Sequence, residues 1–208
     1  MQFLLVIHIS AGVATLLSAA VAIFSAKGKK IHLNSGSVYF WGMVGIFLTA
    51  IPMSLLTEDV FLFLVAVFSF YLAFAGRRFA RTRTNIAERI DWVAVLLVLV
   101  SGVGMWVLAA WHFVQANSQF ITLIVFGLLA LSLGFADFRR YRSKTATGKE
   151  RIARHLANML GGTIAVVTAV LVVNVQMEPV WVPWVLPTAV MTPVIVWWNR
   201  KVLNGRTD

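Results

Sequence analysis

The sequence predicts an all-α, polytopic membrane protein with seven transmembrane helices, an external N-terminus and a cytoplasmic C-terminus. Three observations lead to this prediction. Hydrophobic residues make up 60% of the chain and charged residues only 12%, whereas a soluble domain is about 25% charged. Seven apolar stretches approach the length of about 20 residues that a spanning helix needs. All basic residues lie in alternate connections between these stretches, as the positive-inside rule requires.

The seven segments are expected to be helical, because none alternates polar and apolar residues as a β-barrel strand does. They run, to within a few residues, over 2–26, 33–56, 60–76, 91–114, 119–138, 155–175 and 180–198. The connections are too short to fold as a soluble domain, so residues 1–208 are expected to form one domain. The longest connection, about 139–154, is expected to continue helices five and six beyond the membrane.

The charge distribution predicts the orientation. All 18 Lys and Arg residues lie after segments one, three, five and seven, at what we call the basic end. The only charged residues in the other connections, at the opposite end, are Glu58, Asp59 and Glu178. The first segment has no basic residues before it, so it is not expected to be a cleaved signal peptide. We therefore expect a multi-pass protein of the inner (plasma) membrane with its basic end in the cytoplasm.

Composition and motifs exclude several functions. The chain has no cysteine, which excludes disulfides, thiolate catalysis and iron–sulfur clusters. The formal charge of +10 does not indicate nucleic-acid binding, because membrane topology already explains where the basic residues lie. No HExxH, Walker A, GxSxG or GxGxxG motif occurs. Whether the chain is an enzyme stays open at this point.

The four histidines fall at two depths. His8 precedes Lys27 by 19 residues, or roughly 28 Å of helix, and His112 lies a similar distance from Asp91. Both are therefore expected near the opposite end. His32 and His155 are expected at the basic end, because each follows a group of basic residues.

Ionisable residues in membrane helices are costly and commonly functional, but interfacial histidines have simpler roles. His112 is adjacent to Trp111, which favours anchoring at the interface. For His32 and His155 the alternative is contact with lipid phosphate. His8 has apolar neighbours on both sides, so its role is the hardest to explain by the interface alone.

Two acids accompany the histidines at the basic end. Asp91 begins segment four, where capping and the helix dipole would explain it. Asp137 ends segment five, where a carboxylate opposes the helix dipole. An ion pair with Arg140 or another arginine of this end is the structural explanation for Asp137.

Three stretches of the chain resemble a known family. HISAGVATLLSAAVAIFSAKGKKIHLNSG contains two His–x–x–x–Gly steps, RHLANMLGGTIAVVTAVLVVN contains a His–x–x–x–Met step, and PWVLPTAVMTPVIVWWNRK resembles a final helix. Over nearly its whole length the chain is similar to domain of unknown function 2306, a group of bacterial integral membrane proteins. The positions that match its motifs are His8, Gly12, His32, Gly36, Asp137, His155 and Met159.

The resemblance implies a helical membrane fold and these motif residues, not a biochemical activity. Leu33 stands where the family often has arginine. An anion-binding role for the first connection at the basic end is therefore not expected.

The first functional hypothesis is binding of haem b by two histidine pairs. His8 with His112, and His32 with His155, would each supply two imidazoles at one depth, so that two haems could carry electrons across the membrane. This arrangement is similar in logic to the cytochrome b561 class. It explains all four histidines together.

Two other hypotheses remain open. His32, Asp137 and His155 are candidates for a zinc site, because two histidines and a carboxylate suit catalytic zinc. Seven-helix membrane hydrolases use a similar ligand set, but their motifs are absent here. The third hypothesis is a non-enzymatic transporter or assembly factor. The expected partner is the lipid bilayer. The redox partner, a small-molecule ligand and homo-oligomerisation stay open.

Overall fold

A computed structural model of the chain describes residues 1–82, 86–143 and 148–205. Seven α-helices lie in these ranges. They are α1 (Gln2–Phe24), α2 (Lys30–Leu56), α3 (Val60–Arg81), α4 (Arg89–Val114), α5 (Phe120–Ser143), α6 (Gly148–Asn174) and α7 (Val182–Leu203). The basic residues Arg83, Lys144 and Arg206, which contribute to the predicted orientation, lie outside the described residues.

The all-α prediction is confirmed, and six of the helices, α1 to α6, are long and apolar enough to cross a membrane. The helix α7 is 22 residues long but is not one of the six. Its sequence includes three prolines and, near its end, Asn199, Arg200 and Lys201, which lowers its apolar character. A multi-pass membrane protein follows from the six helices.

Several helices extend beyond their apolar segments. The helix α5 continues to Ser143 and α6 begins at Gly148, as expected for the connection between them. Apolar character marks only the part of a helix that crosses lipid. The flanking Arg, Lys and Glu residues are good helix formers, so the helix continues through them.

The helix α3 lies at the centre of the bundle, packed against α2, α4 and α6. The helices α1 and α2 form one antiparallel pair, and α4 and α5 form another, on different sides of α3. The helix α6 also contacts α1 and α7. This arrangement decides which histidines can meet.

Two cores hold the bundle together. One lies between α3, α4 and α5 and includes Phe68, Val98 and Phe126. The other lies between α1, α2, α3 and α6 and includes Ala19, Tyr39, Met43, Ala73 and Val166. Membrane helices associate through close packing of small residues. For example, a Cβ atom on Gly134 would lie 2.8 Å from Val98 Cγ1.

Candidate functional site: a histidine pair at the basic end

The structure brings His32 and His155 together. His32 lies near the start of α2, and His155 lies in the second turn of α6. Their ring centroids are 6.3 Å apart and the rings are nearly perpendicular, at 84°. The prediction that these two histidines share one depth and face each other is therefore confirmed.

Each ring is fixed by a hydrogen bond to a backbone carbonyl of another helix. His32 Nδ1 lies 3.0 Å from the Ala22 carbonyl oxygen of α1. His155 Nδ1 lies 2.8 Å from the Gly76 carbonyl oxygen of α3. A carbonyl oxygen only accepts hydrogen bonds, so Nδ1 carries the proton in both rings. The lone pair of a neutral imidazole then lies on Nε2, and no described residue donates to it.

The helices α2 and α6 run in the same direction from this pair. Tyr39, two turns beyond His32, donates from its hydroxyl to the Met159 carbonyl oxygen at 3.2 Å. Its hydroxyl also occupies the place where a side chain on Gly162 would begin. The facing positions repeat with the same spacing on both helices. They are His32, Gly36, Tyr39 and Met43 on α2, and His155, Met159, Gly162 and Val166 on α6.

The helices α2 and α6 meet through side chains at this level. Over the described residues, no Cα of α2 comes within 8 Å of a Cα of α6, so only side chains bridge them. Gly36 lies one helical turn from His32, and a Cβ atom there would have no neighbour within 4 Å. Helix packing therefore does not require a glycine at this position.

The opposite end does not form the predicted second pair. His8 Nδ1 lies 2.9 Å from Thr49 Oγ1 of α2. His112 lies on α4, and α1 and α4 nowhere approach within 8 Å between Cα atoms in the described ranges. The helices α1 and α4 lie on different sides of α3. The structure therefore does not bring His8 and His112 together.

His8 and His112, at the opposite end, have different surroundings. Thr49 Oγ1 donates its only proton to a backbone carbonyl, with Gly45 O at 2.7 Å, so His8 must donate through Nδ1. His112 lines a shallow cavity of about 320 Å³ together with Glu58, Asp59 and Trp111. The structural explanation of His112 as an interfacial residue fits its position beside the exposed Trp111.

Asp137 is not part of the histidine pair. Its carboxylate accepts a hydrogen bond from the Tyr71 hydroxyl of α3 at 2.7 Å and lies 3.6 Å from Arg154 Nε of α6. The prediction that α2, α5 and α6 adjoin holds only in part. Side chains of α5 and α6 meet at the basic end, where Asp137 pairs with Arg154 and Arg140 with Glu150. Between α5 and α2, no Cα atoms of the described residues lie within 8 Å of each other. The expected ion pair with an arginine of this end is confirmed, with Arg154 as the partner.

Asp91 has a structural role. It forms a capping box with Glu88 at the start of α4, as its position predicted. It also makes two short bonds to the Arg78 guanidinium, at 2.7 and 2.8 Å. These contacts join the ends of α3 and α4.

A protein-only metal site lacks a third ligand. No three His, Asp or Glu side chains in the described part of the chain are grouped so that they could hold a metal ion. The set of His32, Asp137 and His155 is therefore divided in this structure. Two imidazoles remain at the candidate site.

Three hydroxyl groups that complete these sites were not singled out from the sequence: Tyr39, Thr49 and Tyr71. Tyr71 is the only hydroxyl-bearing aromatic residue in the apolar run FSFYLAF. A buried phenol in a membrane helix needs a hydrogen-bond partner, and this signal would have pointed to Asp137. Tyr39 and Thr49 are likewise polar side chains among the apolar residues of α2.

Comparison of the chain with protein-family models, with curated proteins and with solved structures finds no match. The resemblance to domain of unknown function 2306 therefore stays a prediction. The functional conclusion has to come from the site itself.

Proposed function

We propose that this chain is an inner-membrane haem b protein that carries electrons, with one haem held between His32 and His155. The observation that carries the proposal is the pair of facing imidazoles, with ring centroids 6.3 Å apart. Both rings present an Nε2 lone pair, because backbone carbonyls hold the proton on Nδ1. Enzymatic hydrolysis by zinc is not part of this proposal.

The number of ligands favours haem over zinc. A haem macrocycle supplies four nitrogen ligands itself, so that the protein needs to provide only axial ligands. Zinc sites take three or four protein ligands, and no third candidate joins the pair among the described residues. Two histidines are a complete set for haem and an incomplete one for zinc.

The ring spacing suits one iron between the two histidines. Metal–imidazole bonds are about 2.0–2.1 Å long for zinc, and a similar length to iron would separate two opposed ring centroids by roughly 6 Å. The centroid distance of 6.3 Å is close to this value.

The proposal places the macrocycle between α2 and α6, next to Gly36. The backbones of α2 and α6 stay more than 8 Å apart between Cα atoms in the parts of both helices that are described. Gly36 leaves open volume one turn from His32. A larger residue there would fill the region next to the proposed ligand.

The chain's own residues would tune the bound group. A second hydrogen bond on the distal ring nitrogen fixes a ligand's orientation and raises its basicity, and the Ala22 and Gly76 carbonyls provide these bonds. When bound, the haem would supply one-electron exchange, with a potential set by axial ligation and burial. His8 and His112 would have no role in this haem.

The proposal includes the orientation predicted from the loop charges and α7 as a seventh span. Reporter fusions after Glu58, Asn117 and Glu178 should then be extracytoplasmic, and fusions after Arg83, Lys144 and Asn204 cytoplasmic. Alkaline phosphatase and green fluorescent protein fusions measure the two states. A reversed pattern at two or more positions contradicts the orientation. Matching results on both sides of α7 would contradict only the seventh span.

The haem is tested by purifying the protein in mild detergent from haem-replete cells. We expect one haem per chain and a low-spin spectrum that sharpens on reduction with dithionite. His32→Ala and His155→Ala should each remove the chromophore. His8→Ala and His112→Ala are matched controls and should retain it at the wild-type ratio.

Folding of each variant is checked by its elution volume and helical circular dichroism. A colourless, folded wild-type protein would contradict the proposal. Stoichiometric zinc in that protein would favour the metal hypothesis instead. Haem that survives both His32→Ala and His155→Ala would show that the ligands lie elsewhere.

A further inference from the structure

Asp137 is a fully buried carboxylate that the proposed haem does not use. It lies on α5 with none of its surface exposed. One oxygen, Oδ2, accepts the Tyr71 hydroxyl proton at 2.7 Å. Tyr71 itself is buried in the core between α3, α4 and α5. Oδ2 therefore has a hydrogen-bond donor.

The other oxygen lacks a hydrogen-bond donor among the described residues. Asp137 Oδ1 lies 3.6 Å from Arg154 Nε, which is too long for a hydrogen bond. Buried carboxylates are normally paired and hydrogen-bonded on their free lone pairs. An ionised Asp137 would therefore be under-satisfied in this pocket.

Two more buried polar atoms near this region also lack partners in the described part of the chain. Asn158 is fully buried, and its Nδ2 donates to the Arg154 carbonyl oxygen at 2.9 Å while Oδ1 accepts nothing. Arg140, one turn along α5 from Asp137, has an Nη2 that forms no hydrogen bond in the described residues and lies 4.0 Å from Glu150 Oε2. Two acceptors and one donor without hydrogen bonds are the arrangement that a water molecule or an added proton can complete.

Asp91 provides the contrast within the same molecule. It is almost as buried as Asp137, with 3% of its surface exposed. Its oxygens accept bonds from Arg78 Nε, from Arg78 Nη2 and from the Glu88 amide, at 2.7, 2.8 and 2.9 Å. Both oxygens of Asp91 accept hydrogen bonds, whereas only Oδ2 of Asp137 accepts one in the described residues.

We propose that Asp137 is a proton-binding site, which exchanges a proton with water at the basic end. In the binding step an O–H bond of a hydronium ion at the basic end breaks, an O–H bond forms on Oδ1, a neutral water molecule is left, and no electron is transferred. Release reverses the step. The Arg154 side chain is 24% exposed and that of Arg140 14%, so both lie between the pocket and the surface.

The groups facing Asp137 balance its two forms. The Tyr71 hydroxyl from α3 and the Arg154 guanidinium from α6 favour the carboxylate, as does Arg140 on α5 itself. Complete burial favours the neutral acid. On α4 the nearest acid, Asp91, is neutralised by Arg78. A carboxyl group with opposing influences of this kind can change its protonation in response to conditions.

This site is separate from the histidine pair, and its test does not need haem. The experiment is infrared difference spectroscopy between low and high pH on the purified protein in lipid bilayers. We expect a C=O band of a protonated, buried carboxyl group that appears as the pH falls. Asp137→Asn should remove this band, and the matched control Asp91→Asn should retain it.

Tyr71→Phe provides a second measurement that does not require the Asp137 variant to fold. Loss of the phenol hydrogen bond should shift the band of Asp137 without removing it. Absence of a carboxyl band in the wild-type protein overturns the proposal. A band that neither Asp137→Asn nor Tyr71→Phe changes also overturns it, because the proton is then bound elsewhere.

Discussion

The two ends of the α1–α2 pair carry the same local motif, but only one of them faces another histidine. His8 and His32 each bond through Nδ1 across the interface between these helices, to Thr49 and to the Ala22 carbonyl. Each is followed one turn later by a glycine with open space around it. Only His32 faces a second imidazole. The local motif fixes the histidine ring through Nδ1. Whether a second imidazole faces that ring depends on a third helix.

The difference comes from the position of the third helix. At the basic end α6 runs parallel to α2 and places His155 opposite His32. At the opposite end the other histidine lies on α4, which packs against α3 and α5 and not against α1 in the described structure. If the comparison is correct, changes at the two ends should have unequal effects on a bound haem.

The largest contrast is expected from filling the two open glycine positions. Gly36→Leu should abolish or strongly reduce haem content, because its side chain would occupy the volume beside His32. Gly12→Leu introduces the same side chain one turn from His8 and should leave haem content unchanged. Neither added Cβ has a neighbour within 4 Å, so both variants should fold.

Haem content per chain, measured from the spectrum of the reduced pyridine complex, checks this pair of variants. Equal loss in both would remove the distinction between the ends. Full haem content in Gly36→Leu would place the macrocycle away from α2.

An intermediate effect is expected from Gly76→Ala, which changes the carbonyl support of His155. The new Cβ would lie 2.7 Å from Met159 Sδ and 3.2 Å from the Met159 amide nitrogen, so α3 and α6 would have to separate slightly. Overpacking of this kind costs about 1–3 kcal/mol. We expect a lower thermal midpoint and a shifted haem reduction potential.

Gly104→Ala is the matched control for that variant. Its new Cβ would meet only the end of the Leu64 side chain, at 3.3 Å. Gly104 lies on α4, whereas His32 and His155 lie on α2 and α6. A potential shift of equal size in both variants would mean that Gly76 does not act through His155.

The smallest effect is expected from Thr49→Val at the opposite end. The change removes the acceptor of His8 Nδ1 and keeps the side-chain shape. Loss of one hydrogen bond should lower stability by about 1 kcal/mol, visible as a small decrease in the thermal midpoint. The haem spectrum should not change, and a changed spectrum would link His8 to the chromophore.

The sequence predicted at which end of the bundle each histidine lies, but not which histidines would meet. The rise per residue of a helix is fixed, so counting from Lys27 and Asp91 placed His8 and His112 at the end opposite the basic residues. Lateral position depends on which face of each helix meets a neighbour. In α4 large apolar residues such as Leu96, Val103 and Val107 face outwards, with 61%, 54% and 67% of their surfaces exposed. In lipid an apolar side chain is stable inside or outside, so the pattern does not mark the packed face.

The same reason explains the outcome for Asp137. Its ion pair with an arginine was predicted from its position and charge, but its complete burial was not. Its separation from His32 and His155 depends on α3, whose central position no local pattern reveals. Tyr71 was overlooked because it lies among phenylalanines, where its hydroxyl is one polar atom in an apolar run.

The Tyr39 side chain bridges α2 and α6. It bonds the Met159 carbonyl at 3.2 Å from a fully buried position, and Gly162 leaves room for it. The spacing between the two helices is therefore set by protein contacts beyond the histidine pair and not by whatever lies between the rings. Preorganisation of this kind means that a bound group changes the scaffold little. For a haem held there, the reorganisation energy on gaining or losing an electron would be small, and electron exchange correspondingly fast.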